Sequence, residues 1–213
     1  FSVRGGERVL VPDASVTSEG GRARIRLARP LAPGDSVVLF LEWTAPLPPN
    51  AHGNARGAIL ADWYPRVLDE VSGSIESFAA IGSVDLELDV AADQVVAATG
   101  VVRCGDPGWD GARRTPATPV TLQRNWYDAA ASATSCEAAA PPRKRLLWQA
   151  RDVTELAVAM SPTFVYEEGD FLDKPVHALY EAGSERRWGT GFATQRLETA
   201  LAWTTELAGR YPW

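Results

Sequence analysis

The residues able to do chemistry are few and widely spaced. The chain carries 2 histidines, His52 and His177. They form no His-x-x-x-His pair, so no helix-borne zinc dyad can be assembled from them. His52 lies in a Gly/Asn-rich loop and reads as a solvated side chain. His177 lies in a strand and reads as a packed or surface residue. There is no Gly-x-Ser-x-Gly nucleophile elbow. Residues 188–194 read WGTGFAT, a Gly-x-Gly before a helix. The third glycine of a phosphate-cradling turn is replaced by Thr194, so this reads as a flexible helix entry. Carboxylates cluster as Asp69 and Glu70 and as Asp85, Glu87 and Asp89. A general acid/base pair needs two carboxyls in one enclosed environment. Strict alternation puts the last three on a wet strand face, where charges are solvated and unpaired. These residues predict no catalytic group and no metal ligand in this chain.

Cys104 and Cys136 stand 32 apart in turn-rich sequence. Without CxxC spacing they do not suggest a metal site. Two readings remain, a disulfide in an exported protein or two incidental thiols, and the disulfide is the favoured one.

The elements that must carry these residues are mostly strands. In residues 83–100, SVDLELDVAADQVVAATG, Val84, Leu86, Leu88 and Val90 alternate with the three acids, a period of two. The run breaks at Ala91-Ala92-Asp93 and resumes from Gln94. Strand patterns also cover 24–27, 37–43, 58–65, 146–150, 155–160, 163–166 and 175–180. Pro30 to Asp35 is a turn. Residues 46–57 and 105–119 are loops by their Pro, Gly and Asn content, and 129–142 is an Ala-rich connection or short helix. Near the end the period changes. Phe192, Ala193, Leu197, Ala200, Leu201, Thr204, Leu207 and Ala208 share one side of a helix capped by Gly209. That apolar stripe either docks on its own sheet or opens a further domain.

Composition narrows the classes. The 213 residues, 46% hydrophobic and 23% charged, suit one large or two modest globular domains. A net charge of −6 and no basic stripe argue against nucleic acid. Arg143-Lys144-Arg145 reads as a solvated strand entry. No stretch approaches the roughly 18 apolar residues of a membrane span. Arginine far outnumbers lysine, which suggests a GC-rich bacterial genome. The chain begins at Phe1 without a signal peptide, as a processed protein or a fragment would. Of the 8 tryptophans, Trp43, Trp63 and Trp148 sit in apolar strand patterns and read as packing residues; exposed aromatic platforms for glycans are the rival use.

The segments PLAPGDSVVLFLEW (30–43), ILADWYPRV (59–67), SFAAIGSVDLELDVAADQVVAATG (77–100), LLWQARDVTELAVAMSP (146–162) and LAGRYPW (207–213) resemble, in that order, the amino-terminal region of aminopeptidase N-type (gluzincin) zinc metallopeptidases, bacterial members above all. The resemblance implies a mainly β chain. A saddle-like β-sheet or β-sandwich amino-terminal domain would span 1–172. The first strands and helix of a thermolysin-like α+β catalytic domain would span 173–213. It implies a metallopeptidase removing amino-terminal residues from peptides, with zinc bound in the full-length protein and none held by this chain. This part would brace the catalytic domain and wall the substrate cleft, with peptide substrates and the rest of its own catalytic domain as partners. Relatives often show Gln just before the WYP stretch. Asp62 stands there, and as an anion it would suit a substrate ammonium. The alternatives are a strand-end carboxylate at Asp62 and, for the chain, a relative without peptidase activity or a non-catalytic β-sandwich module binding glycan or protein.

Overall fold

The structure is a computed structural model that describes residues 2–5, 7–10, 16–19, 22–27, 29–44, 56–61, 63–66, 82–112, 136, 140–172 and 174–211. It divides into two units, Phe1–Leu47 and Pro48–Trp213. Its regular elements are mainly antiparallel strands.

In the first unit, β1 (Ser2–Gly5) pairs with β2 (Glu7–Leu10), while β3 (Val16–Glu19) and β4 (Arg22–Ile25) make a separate hairpin. β5 (Val38–Phe40) adds to the other edge of β1. The predicted turn between β4 and β5 closes on Asp35, whose amide donates to the Ala32 carbonyl at 2.9 Å and whose carboxylate accepts from the Ala32 amide at 3.0 Å. Trp43 departs from its expected packing role and is 46% exposed. Its strand neighbourhood is apolar on both faces, and one strand edge cannot bury both.

The second unit holds β6 (Ala58–Ala61), β7 (Gly82–Ala91), β8 (Val95–Ala98) and β9 (Val101–Cys104), then a helical turn, α1 (Trp109–Ala112). There follow β10 (Arg143–Val153), β11 (Ala157–Ser161), β12 (Phe164–Phe171) and β13 (Lys174–Glu181). A short α2 (Glu185–Trp188) leads into α3 (Phe192–Ala208). The strands form two three-stranded sheets, β7-β10-β9 and β6-β11-β8, and the hairpin β12-β13. β12 and β13, which lie on either side of the expected boundary between 172 and 173, pair with each other.

The break at Ala91-Ala92-Asp93 is a change of sheet. β7 pairs with β10, whereas β8, resuming at Val95, pairs with β11. The chain thereby joins the two sheets around one core. Leu86, Val90, Val96, Leu146, Trp148 and Val158 lie in it, and Trp109 and Tyr166 close it from α1 and β12. Trp109 stands in a stretch that composition marks as loop. Its ring is buried, its Nε1 donates to the Val96 carbonyl at 2.8 Å, and it meets Trp148 edge-on at 6.0 Å. A tryptophan has a large apolar surface to bury, so one such residue can anchor an irregular segment. Tyr64 of the WYP stretch is half-buried, and its hydroxyl accepts from the Leu156 amide at 3.2 Å.

α3 ends as predicted at Gly209, whose positive φ of 91° and amide bond to the Thr205 carbonyl make the cap. The face it turns to the hairpin is not the apolar stripe. Besides Ala193, the residues drawn out of solvent are Thr194, Glu198, Leu201 and Thr205, at spacings of one and two turns. They face β12 and β13. Leu197 and Leu207 of the apolar stripe stay exposed, Leu207 by 81%. The cause lies in the strand beneath. A side chain at Gly169 would put its Cβ 2.2 Å from Glu198 Oε1 and 2.9 Å from Thr194 Cβ. The helix therefore seats small and polar side chains against a bare stretch of backbone.

Candidate functional site

The acids of β7 point outward as the alternation requires, but they are paired. Register sets Asp85 opposite Gln149, Glu87 opposite Leu147 and Asp89 opposite Arg145. Arg151 lies 3.0 Å from the Asp85 carboxylate and Arg145 lies 3.1 Å from Glu87. Arg143 binds Asp89 through both its carboxylate and, at 2.6 Å, its carbonyl. Gln149 donates to Asp85 at 3.0 Å, and this bond, with that from Arg151, holds the Asp85 carboxyl below the usual carboxylate range. Each acid is committed to a cation on the neighbouring strand, so the row is an ion-pair ladder on a wet face and offers no shared proton for acid/base work. The Arg143-Lys144-Arg145 run divides accordingly. Its arginines join the ladder, while the Lys144 side chain is half-buried beside Gly108. Burial lowers the Lys144 amine from its ordinary value, opposed by the charges of Asp106 and Asp93.

The hairpin β12-β13 concentrates the other chemistry-bearing residues. Tyr166 and Glu168 are two apart on β12 and share one face, and His177 on β13 is the register partner of Glu168. The Tyr166 hydroxyl is 2.8 Å from His177 Nδ1 and 3.3 Å from Glu168 Oε2. Trp109 lies parallel to the Tyr166 ring at 5.2 Å and covers the imidazole at 4.7 Å. One phenol proton serves either the carboxylate or the imidazole. When His177 Nδ1 carries a proton, the chain His177 to Tyr166 to Glu168 is satisfied throughout. This aromatic, hydrogen-bonded cluster sits at the core boundary and pins α1 to the hairpin.

Glu167 points to the opposite face and is 6% exposed. Its carboxylate accepts from the Tyr180 hydroxyl at 2.6 Å and from the amides of Thr190 and Gly191, each at 3.0 Å. Those amides belong to the Gly-x-Gly entry of α3. Backbone N–H groups at a helix start attract an anion, and here the anion is the protein's own carboxylate. The entry is tied down, with Thr190 held at a φ of 59°. Further along, Glu198 of α3 accepts from the Asp170 amide at 3.1 Å.

Cys104 is bonded to Cys136 in a disulfide. Asp62, His52, Asp69 and Glu70 lie outside the described residues. Among the described residues, no group of three His, Cys, Asp or Glu side chains could hold a metal ion, and no helix is long and apolar enough to cross a membrane. The role of Trp109 had no local sequence signal beyond its residue type. The role of Glu167 had no local signal either, since the strand pattern read from the sequence stops at Tyr166 and the acid lies on the face opposite that ring.

No protein-family model, curated protein or solved structure matches the chain.

Proposed function

We propose that this chain is part of an aminopeptidase N-type zinc metallopeptidase, supplying a saddle- or sandwich-like β region that braces the catalytic domain and walls the cleft for peptide substrates. The observation carrying this reading is that three of the five stretches resembling the family are one another's partners. Segment 77–100 supplies β7 and β8, which pair with β10 and β11 from segment 146–162. Segment 59–67 meets the same pieces, through β6 on β11 and Tyr64 on Leu156. An ordered set of similar segments that also packs as one core is what a shared architecture requires.

The described residues do not fit the zinc itself. His177 Nδ1 is already bonded to Tyr166, and the described residues contain no ligand triad. In this reading zinc belongs to the catalytic domain of the full-length protein, and no chemical step is assigned to the described residues. The disulfide suits an exported bacterial protein. Asp62 is the candidate contact for the free amine of a substrate.

The test is an assay on the full-length protein. Release of amino-terminal residues from peptides, abolished by chelation and restored by zinc, is the expected result, with Asp62→Asn raising KM more than it lowers kcat. Glycan or protein binding without peptide hydrolysis would replace this reading with the non-catalytic module.

A further inference from the structure

The docking of α3 is unusual for a helix of 17 residues. Thr194, at 5% exposure, is the one buried residue along its length. Its fixed contacts are polar and gathered at one end. Glu167 holds the amides of Thr190 and Gly191, and Glu198 holds the amide of Asp170. The last two turns bring almost nothing to the interface, and Trp203 is 62% exposed. Thr205 reaches it with a hydroxyl that is shut away from solvent and has no hydrogen-bond partner among the described residues, a state that opposes docking. A helix of this length is marginal by itself in water and depends on tertiary packing. Here that packing is replaced by carboxylate bonds to backbone amides.

We infer that α3 and its entry at 189–191 form a latched element, released from the β12-β13 hairpin as one cooperative unit while the sheets stay folded, with Glu167 as the latch. The entry supplies the release with a driving force. Thr190 sits in the left-handed region, which a β-branched residue leaves readily once its amide is no longer held. The hairpin keeps its own ladder of eight register pairs from Phe164↔Glu181 to Phe171↔Lys174 and needs no helix to remain paired. The closed seat is narrow, since nothing larger than glycine fits at residue 169.

Native-state hydrogen exchange on the whole chain tests this. In the unaltered protein, amides from 195 to 208 should exchange together and faster than those of β7, β10 and β12. Glu167→Gln swaps one acceptor oxygen for a donor facing amide or hydroxyl hydrogens. It should speed α3 exchange by roughly ten- to a hundredfold with the β7 and β10 amides unchanged. Thr205→Val removes the unpartnered hydroxyl and should slow α3 exchange by about tenfold. Three results would overturn the inference: exchange of α3 in step with the sheets, exchange graded inward from residue 208 with 195–200 as protected as β12, or no response to either substitution. If Glu167→Gln fails to fold, Thr205→Val decides alone.

Discussion

The chain treats acids in two opposite ways, on the β7-β10 ladder and beneath α3. On the ladder, Asp85, Glu87 and Asp89 lie in water and each has an arginine partner. Under α3, Glu167 is buried and its bonds run to neutral donors, a phenol and two amides. The visible ion pairs are the weaker device. Charges already solvated gain little from a partner in high dielectric and lose side-chain freedom by holding one. A buried carboxylate has given up its water, so each donor is indispensable and its loss leaves an uncompensated charge. The number of charged contacts therefore misranks these two regions, and burial ranks them.

That contrast can be broken or sharpened by experiment. The largest effect should come from the disulfide that ties β9, beside the ladder, to Cys136. With a sequence separation of 32, its loss should cost about 3–4 kcal/mol by the chain-entropy relation. Denaturant unfolding of Cys104→Ser/Cys136→Ser measures this, and exchange should loosen at β9 while the α3 latch stays as it was. Next comes Tyr180→Phe, which takes from Glu167 its phenol donor. A hydrogen bond to a charged group is worth about 1.5–3 kcal/mol, and a loss near that range should appear in the unfolding midpoint. A change below about 0.5 kcal/mol would mean that the two amides suffice for Glu167, and the contrast with the ladder would shrink.

Smaller still is the ladder itself. Arg145→Met should cost no more than about 1 kcal/mol, and a double-mutant cycle with Glu87→Gln should return a coupling of that order or less. Salt should weaken it, because Glu87 is exposed and Arg145 only part-buried. The smallest effects are matters of pH. Asp85 has a folded-state pKa below its unfolded value, so its stabilising contribution is present above the unfolded value of about 3.9 and is lost as pH falls through the folded one. Asp85→Asn should flatten the acid limb of the stability curve. Lys144 runs the other way. Its folded pKa is lowered, chiefly by burial, so its charge opposes folding at neutral pH. That penalty is relieved as pH rises through the folded value towards the unfolded one near 10.4. Lys144→Met should stabilise the protein at neutral pH and lose that advantage in alkali. A destabilised Lys144→Met at pH 7 would show that Asp106 and Asp93 outweigh the burial.

Much of the fold was legible in the sequence because strand and helix periods are set by local backbone geometry. The alternation from Val84 to Val90, the turn closed by Asp35 and the helix stopping at Gly209 follow from side-chain spacing and allowed dihedrals, with no reference to distant residues. The site was less legible, because its partners are far apart in sequence. Nothing near Glu167 announces Thr190 or Gly191, and nothing in the loop 105–119 marks Trp109 as the ring that would cover Tyr166 and His177. The sequence by itself determined which residues alternate, where strands turn and that an acid-backed strand and a final helix would form. Only the tertiary structure decided which arginine meets which acid, which way the helix turns and which carboxylate fills the Gly-x-Gly entry. Those choices rest on cross-strand register and on competition for buried donors, and both exist only once the chain has closed on itself.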